Sequence, residues 1–72
     1  MPGDLESLRI FLEVAAQESF AAAARRLGIS PPAATRAVGA LEAKLGVQLL
    51  LRTTRQVSLT AAGAAYAARV RP

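Results

Sequence analysis

The 72 residues predict a mainly α fold of three packed helices, a short two-stranded hairpin and a further helix at the C-terminal end. Three observations lead there. Apolar residues recur at helical spacing in three consecutive segments, each opened by a residue able to cap it, and glycine closes the second and third. After Gly46 the spacing changes to strand-like alternation on either side of a polar tip. Finally, Thr60 opens a last segment made mostly of alanine.

The first helix is expected from an Asp4 N-cap to about Gln17, after a disordered start over Met1 to Gly3. Its core stripe reads as Leu5, Leu8, Phe11, Leu12 and Ala15. Ile10 and Val14 fall almost opposite, which predicts a second partner for this helix, either the C-terminal helix or another copy of the chain; two ordinary exposed aliphatics are the plainer account. Ser19 then caps a short helix from Phe20 to Leu27, with Gly28 as its C′ residue. Phe20, Ala23, Ala24 and Leu27 share one face, and the alanines let a neighbouring helix cross closely. Arg25 and Arg26 sit in the last turn, where cations suit the helix dipole.

A tight turn, Gly28, Ile29 and Ser30, leads into the segment around which the chain is organised. Ser30 is the N-cap, the first helical residue is Pro31 or Pro32, and Gly46 supplies the positive φ of a C′ position. Ala34, Val38, Leu41 and Leu45 make the face expected to be buried; Pro32, Thr35, Arg36 and Gly39 lie opposite. Gly39 costs roughly 1 kcal/mol in a helix interior. Close approach to a partner and simple tolerance both account for it. Two helices joined by such a turn form a helix-turn-helix. Val47 to Arg52 and Val57 to Leu59 then read as the strands of a wing, with Thr53, Thr54, Arg55 and Gln56 at its tip. Thr60 caps a helix from Ala61 whose small residues suit helix-on-helix contact. It reaches Pro72 without a natural cap, so the chain reads as truncated. The fold is therefore a winged helix-turn-helix with a three-helix core, a two-stranded wing and a C-terminal helix.

Composition narrows the function. Much of the 53% hydrophobic content is alanine, so the core rests on few large side chains and marginal stability is expected. No stretch approaches ~18 consecutive apolar residues and no leader with a cleavage site is evident, which reads as a cytoplasmic protein without a membrane partner. Cysteine and histidine are absent, which removes disulfides, Cys or His metal sites and the commonest nucleophiles and acid–base groups. Nothing resembles a catalytic site, and no cofactor is called for. Charge is strongly polarised. Asp4, Glu6, Glu13 and Glu18 oppose Arg9 alone, giving −3, whereas Arg25, Arg26, Arg36, Lys44, Arg52, Arg55, Arg69 and Arg71 oppose Glu42 alone, giving +7. With a pI near 11.2, the chain suits a polyanionic partner.

The cations gather around one helix. Its N-terminus is expected to offer backbone N–H groups and a positive dipole end to phosphate. Ser30, Pro31, Pro32, Thr35 and Arg36 lead the helix or point outward from it, and Arg52, Thr53, Thr54 and Arg55 belong to the wing. This arrangement fits double-stranded DNA. Arg36 would meet guanine O6 and N7 or a phosphate, the prolines would press on thymine methyls, and a wing arginine would enter or approach the minor groove.

The spacing Leu5-x-x-Leu8-x-x-Phe11, Ser19-Phe20-x-x-Ala23-Ala24-x-x-Leu27, Ser30-x-Pro32-Ala33-x-Thr35-Arg36, Leu41-Glu42-x-x-Leu45-Gly46 and Leu49-Leu50-x-Arg52-Thr53-x-Arg55-x-Val57-x-Leu59-Thr60-x-Ala62-Gly63 resembles the N-terminal domain of LysR-type transcriptional regulators. The resemblance implies a bacterial transcription regulator with a DNA-binding domain over residues 1–60 and the start of a dimerising linker helix over 61–72. Ala62, Ala65, Tyr66 and Arg69 are its candidate dimerisation residues. It further implies a homodimer, or a homotetramer in the full-length protein, and a small-molecule inducer bound only by a C-terminal domain absent from this chain. Some positions depart from the family. Pro31 stands where glutamine often reads a base, so readout there must be apolar. Thr35 replaces serine, Ala37, Gly39 and Ala40 replace long polar side chains, and Leu50 stands where phenylalanine is frequent. The competing reading is a protein-interaction or dimerisation module with incidental basic charge, which has no need of arginines flanking a polar turn.

Overall fold

The computed structural model describes residues 2–52 and 56–70, and of residues 2–4 the backbone alone. In chain order the elements are α1 (Pro2–Gln17), α2 (Phe20–Leu27), α3 (Pro31–Leu45), β1 (Leu50–Arg52), β2 (Val57–Leu59) and α4 (Ala61–Val70). The expected winged helix-turn-helix is present.

Local capping chemistry sets most boundaries. Ser19 Oγ accepts the Ala22 N–H at 3.0 Å to open α2, and Gly28 closes it at φ 73°. Gly46 closes α3 at φ 70°, donating its N–H to the Glu42 carbonyl at 2.8 Å. Both are left-handed positions that favour glycine. Thr60 opens α4 with its Oγ accepting the Gly63 N–H at 2.9 Å. The first helix departs from expectation: it begins at Pro2, so Asp4 lies inside the first turn rather than at the N-cap. Proline, with its fixed φ and missing N–H, suits that opening position.

The buried side of α1 also differs from the expected stripe. Ile10, Phe11 and Val14 are buried in the core, while Leu8 and Leu12 are half-buried and Leu5 is 63% exposed. The cause is the pair of helices packed against α1. Ala23 and Ala24 of α2 and Ala34 of α3 bring those helices close, and the large side chains that fill the remaining space must come from the arc of α1 that faces them. Ile10 and Val14 therefore find their partners within the domain. Phe11 also meets Tyr66 of α4, with ring centroids 5.8 Å apart. Along α3, Ala34, Val38 and Leu41 are buried as expected, but Leu45 is 40% exposed because it lies in the last turn, beside a groove against α4.

The wing is shorter than the sequence suggested, since Val47 to Leu49 lie in a loop before β1. The strands pair antiparallel, Leu50 with Leu59, Leu51 with Ser58 and Arg52 with Val57. Leu49 and Leu50 are fully buried and seat the wing on the helices.

Candidate nucleic-acid interface

The start of α3 is closed to hydrogen bonding. Pro31 and Pro32 occupy its first two positions and carry no N–H. The Ala33 N–H is taken by Ser30 Oγ at 3.2 Å, and that of Ala34 by the Ser30 carbonyl at 3.1 Å. The expected backbone phosphate donors are therefore absent from this end, and only the dipole remains. Pro31 and Pro32 are both exposed, so this end presents apolar rings. In α2 the pattern is different: the Ala22 and Ala23 N–H groups are bonded to Ser19, whereas those of Phe20 and Ala21 meet no partner among the described residues.

Beyond the prolines, the outward face of α3 carries Arg36, exposed, and Thr35, half-buried. Among the described residues no acid pairs with Arg36. Gly39 continues this face, and a Cβ built on it would meet nothing within 4 Å. Among the described residues no packing requires a glycine there. An ion pair lies elsewhere, from Arg26 Nε to Glu13 Oε2 at 3.2 Å, with Gln17 Nε2 donating to the same oxygen at 2.8 Å.

The wing places Arg52 differently from a simple exposed arginine. Side chains alternate along a strand, so Leu50 and Arg52 share the inner face of the hairpin and Leu51, 50% exposed, occupies the outer one. Beyond the core edge, the Arg52 guanidinium lies over the Phe20 ring, with Cζ 4.7 Å from the ring centroid. Thr53, Thr54 and Arg55, expected at the tip, lie outside the described residues.

Two features of the interface depend on tertiary contacts that the sequence pattern does not mark. Helical spacing marks Phe20 only as a core residue of α2. Glu42, the lone acid of the basic half, uses Oε2 to accept the N–H groups of Leu49 at 2.8 Å and Leu50 at 3.1 Å, tying the wing to α3. A single carboxylate amid eight cations was the available signal. The same loop is held from the other side. Thr60 donates its hydroxyl to the Gln48 carbonyl at 2.7 Å and its N–H to the Leu49 carbonyl at 3.0 Å. Gly63 packs so tightly there that a Cβ would lie 2.8 Å from the Leu49 carbonyl carbon.

Ala62, Ala65, Tyr66 and Arg69, the expected dimerisation residues, are brought together on one groove with Leu45, Val47 and Leu49, of about 290 Å³. Among the described residues no group of three or more acids stands ready for a metal ion, and no helix is long and apolar enough to cross a membrane.

Residues 5–64 match the model of a family described as bacterial regulatory helix-turn-helix protein, lysR family. The chain belongs to the LysR family. Among LysR-family relatives, it is 48% identical over 66 residues to an HTH-type transcriptional regulator of Xanthomonas campestris pv. campestris, covering 92% of this chain and 19% of that protein. It is 51% identical over 63 residues to the HTH-type transcriptional regulator ClcR of Pseudomonas putida, covering 88% and 21%. The chain thus spans about a fifth of the length of these curated relatives. Two solved structures superpose over nearly all of it. The CbnR DBD–DNA complex gives a TM-score of 0.84 at 48% identity, covering 90% of this chain and 78% of that one. The complex of the BenM DBD with benA site 1 DNA gives 0.82 at 39%, covering 92% and 78%. The LysR-family winged helix-turn-helix is therefore the fold of this chain.

Proposed function

We propose that this LysR-family chain binds double-stranded DNA in a sequence-dependent manner as part of a bacterial transcription regulator. The observation that carries the reading is the outward face of α3, where Pro31, Pro32, Thr35, Arg36 and the bare Gly39 leave a cation and a low-relief helix surface uncommitted to the fold. Relatives of the same fold solved on DNA support it. α3 lies in the major groove, with Arg36 on guanine or phosphate and the prolines making apolar contact with thymine methyls. Because the α3 start has no free N–H groups, it contributes no backbone hydrogen bond to phosphate, and the neutralising contacts come from side chains. Arg52 supplies one of them, and Thr53, Thr54 and Arg55 carry the wing to or into the minor groove.

The regulator acts as a homodimer through α4. The groove that gathers Ala62, Ala65, Tyr66 and Arg69 beside Leu45 and Val47 supports this, since it leaves apolar surface at the helix proposed as the linker. A cytoplasmic location, a higher oligomer and a small-molecule inducer belong to the whole protein. The test is fluorescence anisotropy with randomised duplex DNA across a salt series. Log K should fall steeply and linearly with log salt, with a preferred sequence retained at higher salt. No binding at low salt would sink the proposal in favour of a protein-interaction module.

A further inference from the structure

We infer that Phe20 is a positioning residue for DNA binding, its ring holding the Arg52 guanidinium ready to neutralise a backbone phosphate. The inference rests on the DNA-binding reading above. Strand alternation sends Arg52 out on the same side as buried Leu50, at the end of β1 where the core gives out. There the side chain has two options, free solvent or the first ring it meets. It takes the ring: Cζ stands 4.7 Å from the Phe20 centroid, inside the ~6 Å reach of a cation–π contact.

Phe20 is a firm platform. It is the first residue of α2, follows the Ser19 cap, and packs against the core with part of its surface exposed. Stacking occupies one face of the guanidinium, while its donors point outward in the plane, so the group stays able to bond a planar anion or phosphate. Among the described residues no acid pairs with Arg52 or neutralises its charge. A long side chain loses rotamer freedom when a ligand orders it, and one already held loses less. Filling the core at position 20 needs only an apolar side chain of similar size. Holding a cation needs the π face.

The test uses the 72-residue chain and the duplex preferred in the randomised pool. Phe20→Leu keeps apolar bulk without the ring, Phe20→Tyr keeps the ring, and Arg52→Gln removes the charge; the Phe20→Leu/Arg52→Gln double variant completes the cycle. Circular dichroism checks each fold, and Phe20→Met replaces the leucine variant should that one unfold. Phe20→Leu should weaken binding about two- to tenfold, the ordering cost of one long side chain. Phe20→Tyr should bind as the unmodified chain does, and Phe20→Leu should add nothing in the Arg52→Gln background. Arg52→Gln should lower the salt slope by about 0.9, one phosphate's worth. Without DNA, the Arg52 δ-methylene proton resonances should be shifted upfield by the ring and return to ordinary values in Phe20→Leu. Equal losses from Phe20→Leu with and without Arg52, or no loss with Arg52 present, overturn the inference while leaving the DNA-binding reading intact. An unmodified chain that binds no duplex overturns both.

Discussion

Replacing Gly39 by alanine separates what the fold requires at that position from what a ligand requires. Gly39 sits inside α3 without a positive φ, and a Cβ built on it meets nothing within 4 Å. Alanine therefore removes the cost of a mid-helix glycine, about 1 kcal/mol, without introducing a clash. In a domain of this size that raises the melting temperature by about 4–8 °C, readable by circular dichroism. On DNA the sign should reverse. A methyl group added where α3 lies against the groove holds the helix off, at an overpacking cost of about 1–3 kcal/mol, or roughly five- to 150-fold in affinity by anisotropy. A variant that is more stable yet binds as tightly as the original refutes the placement of Gly39 against DNA. One that is not stabilised refutes the view that the fold itself has no use for the glycine.

Three further outcomes are expected. Glu42→Ala removes the acceptor shared by the Leu49 and Leu50 N–H groups and should lower stability by about 1.5–3 kcal/mol in urea titrations; a loss under 0.5 kcal/mol would mean that water replaces the carboxylate. Gly63→Ala drives a methyl into the Leu49 carbonyl and should destabilise the chain by about 1–3 kcal/mol, whereas an unchanged melting curve would show that α4 shifts freely against the loop. Arg36→Ala should weaken specific binding by about 1–3 kcal/mol and relax preference at one base position in a selection from randomised duplexes; unchanged preference would remove Arg36 from base readout.

What could be read from the sequence was what neighbouring residues decide among themselves. Ser19, Gly28, Ser30, Gly46 and Thr60 satisfy backbone groups three or four positions away, so they mark helix ends without knowledge of the tertiary fold. The buried side of α1 is decided elsewhere. Leu5, Leu8 and Leu12 outnumber Ile10 and Val14, yet the alanines of α2 and α3 determine which arc is covered. The interface shows the same division. Arg36 and Thr35 could be placed outward from helical phase alone. The stacking of Arg52 on Phe20 and the grip of Glu42 on the wing join residues brought together only by the chain's return after Gly46. The missing donors at the start of α3 were within reach, because Ser30, Pro31 and Pro32 each have a known local effect. Their sum, no free N–H left, emerges only when every backbone group is accounted for.

The connections at Leu49 give the molecule a mechanical character. One carboxylate from α3 grips the N–H side of this residue and of Leu50, while Thr60 and Gly63, at the base of α4, press on its carbonyl. α4 rises about 15 Å over its ten residues and is held along its length as well as at the loop, with Ala67 in the core and Tyr66 against Phe11. A displacement of α4 would therefore be felt at Leu49, which is bonded through Glu42 to the helix that carries Arg36 and adjoins the strand that carries Arg52.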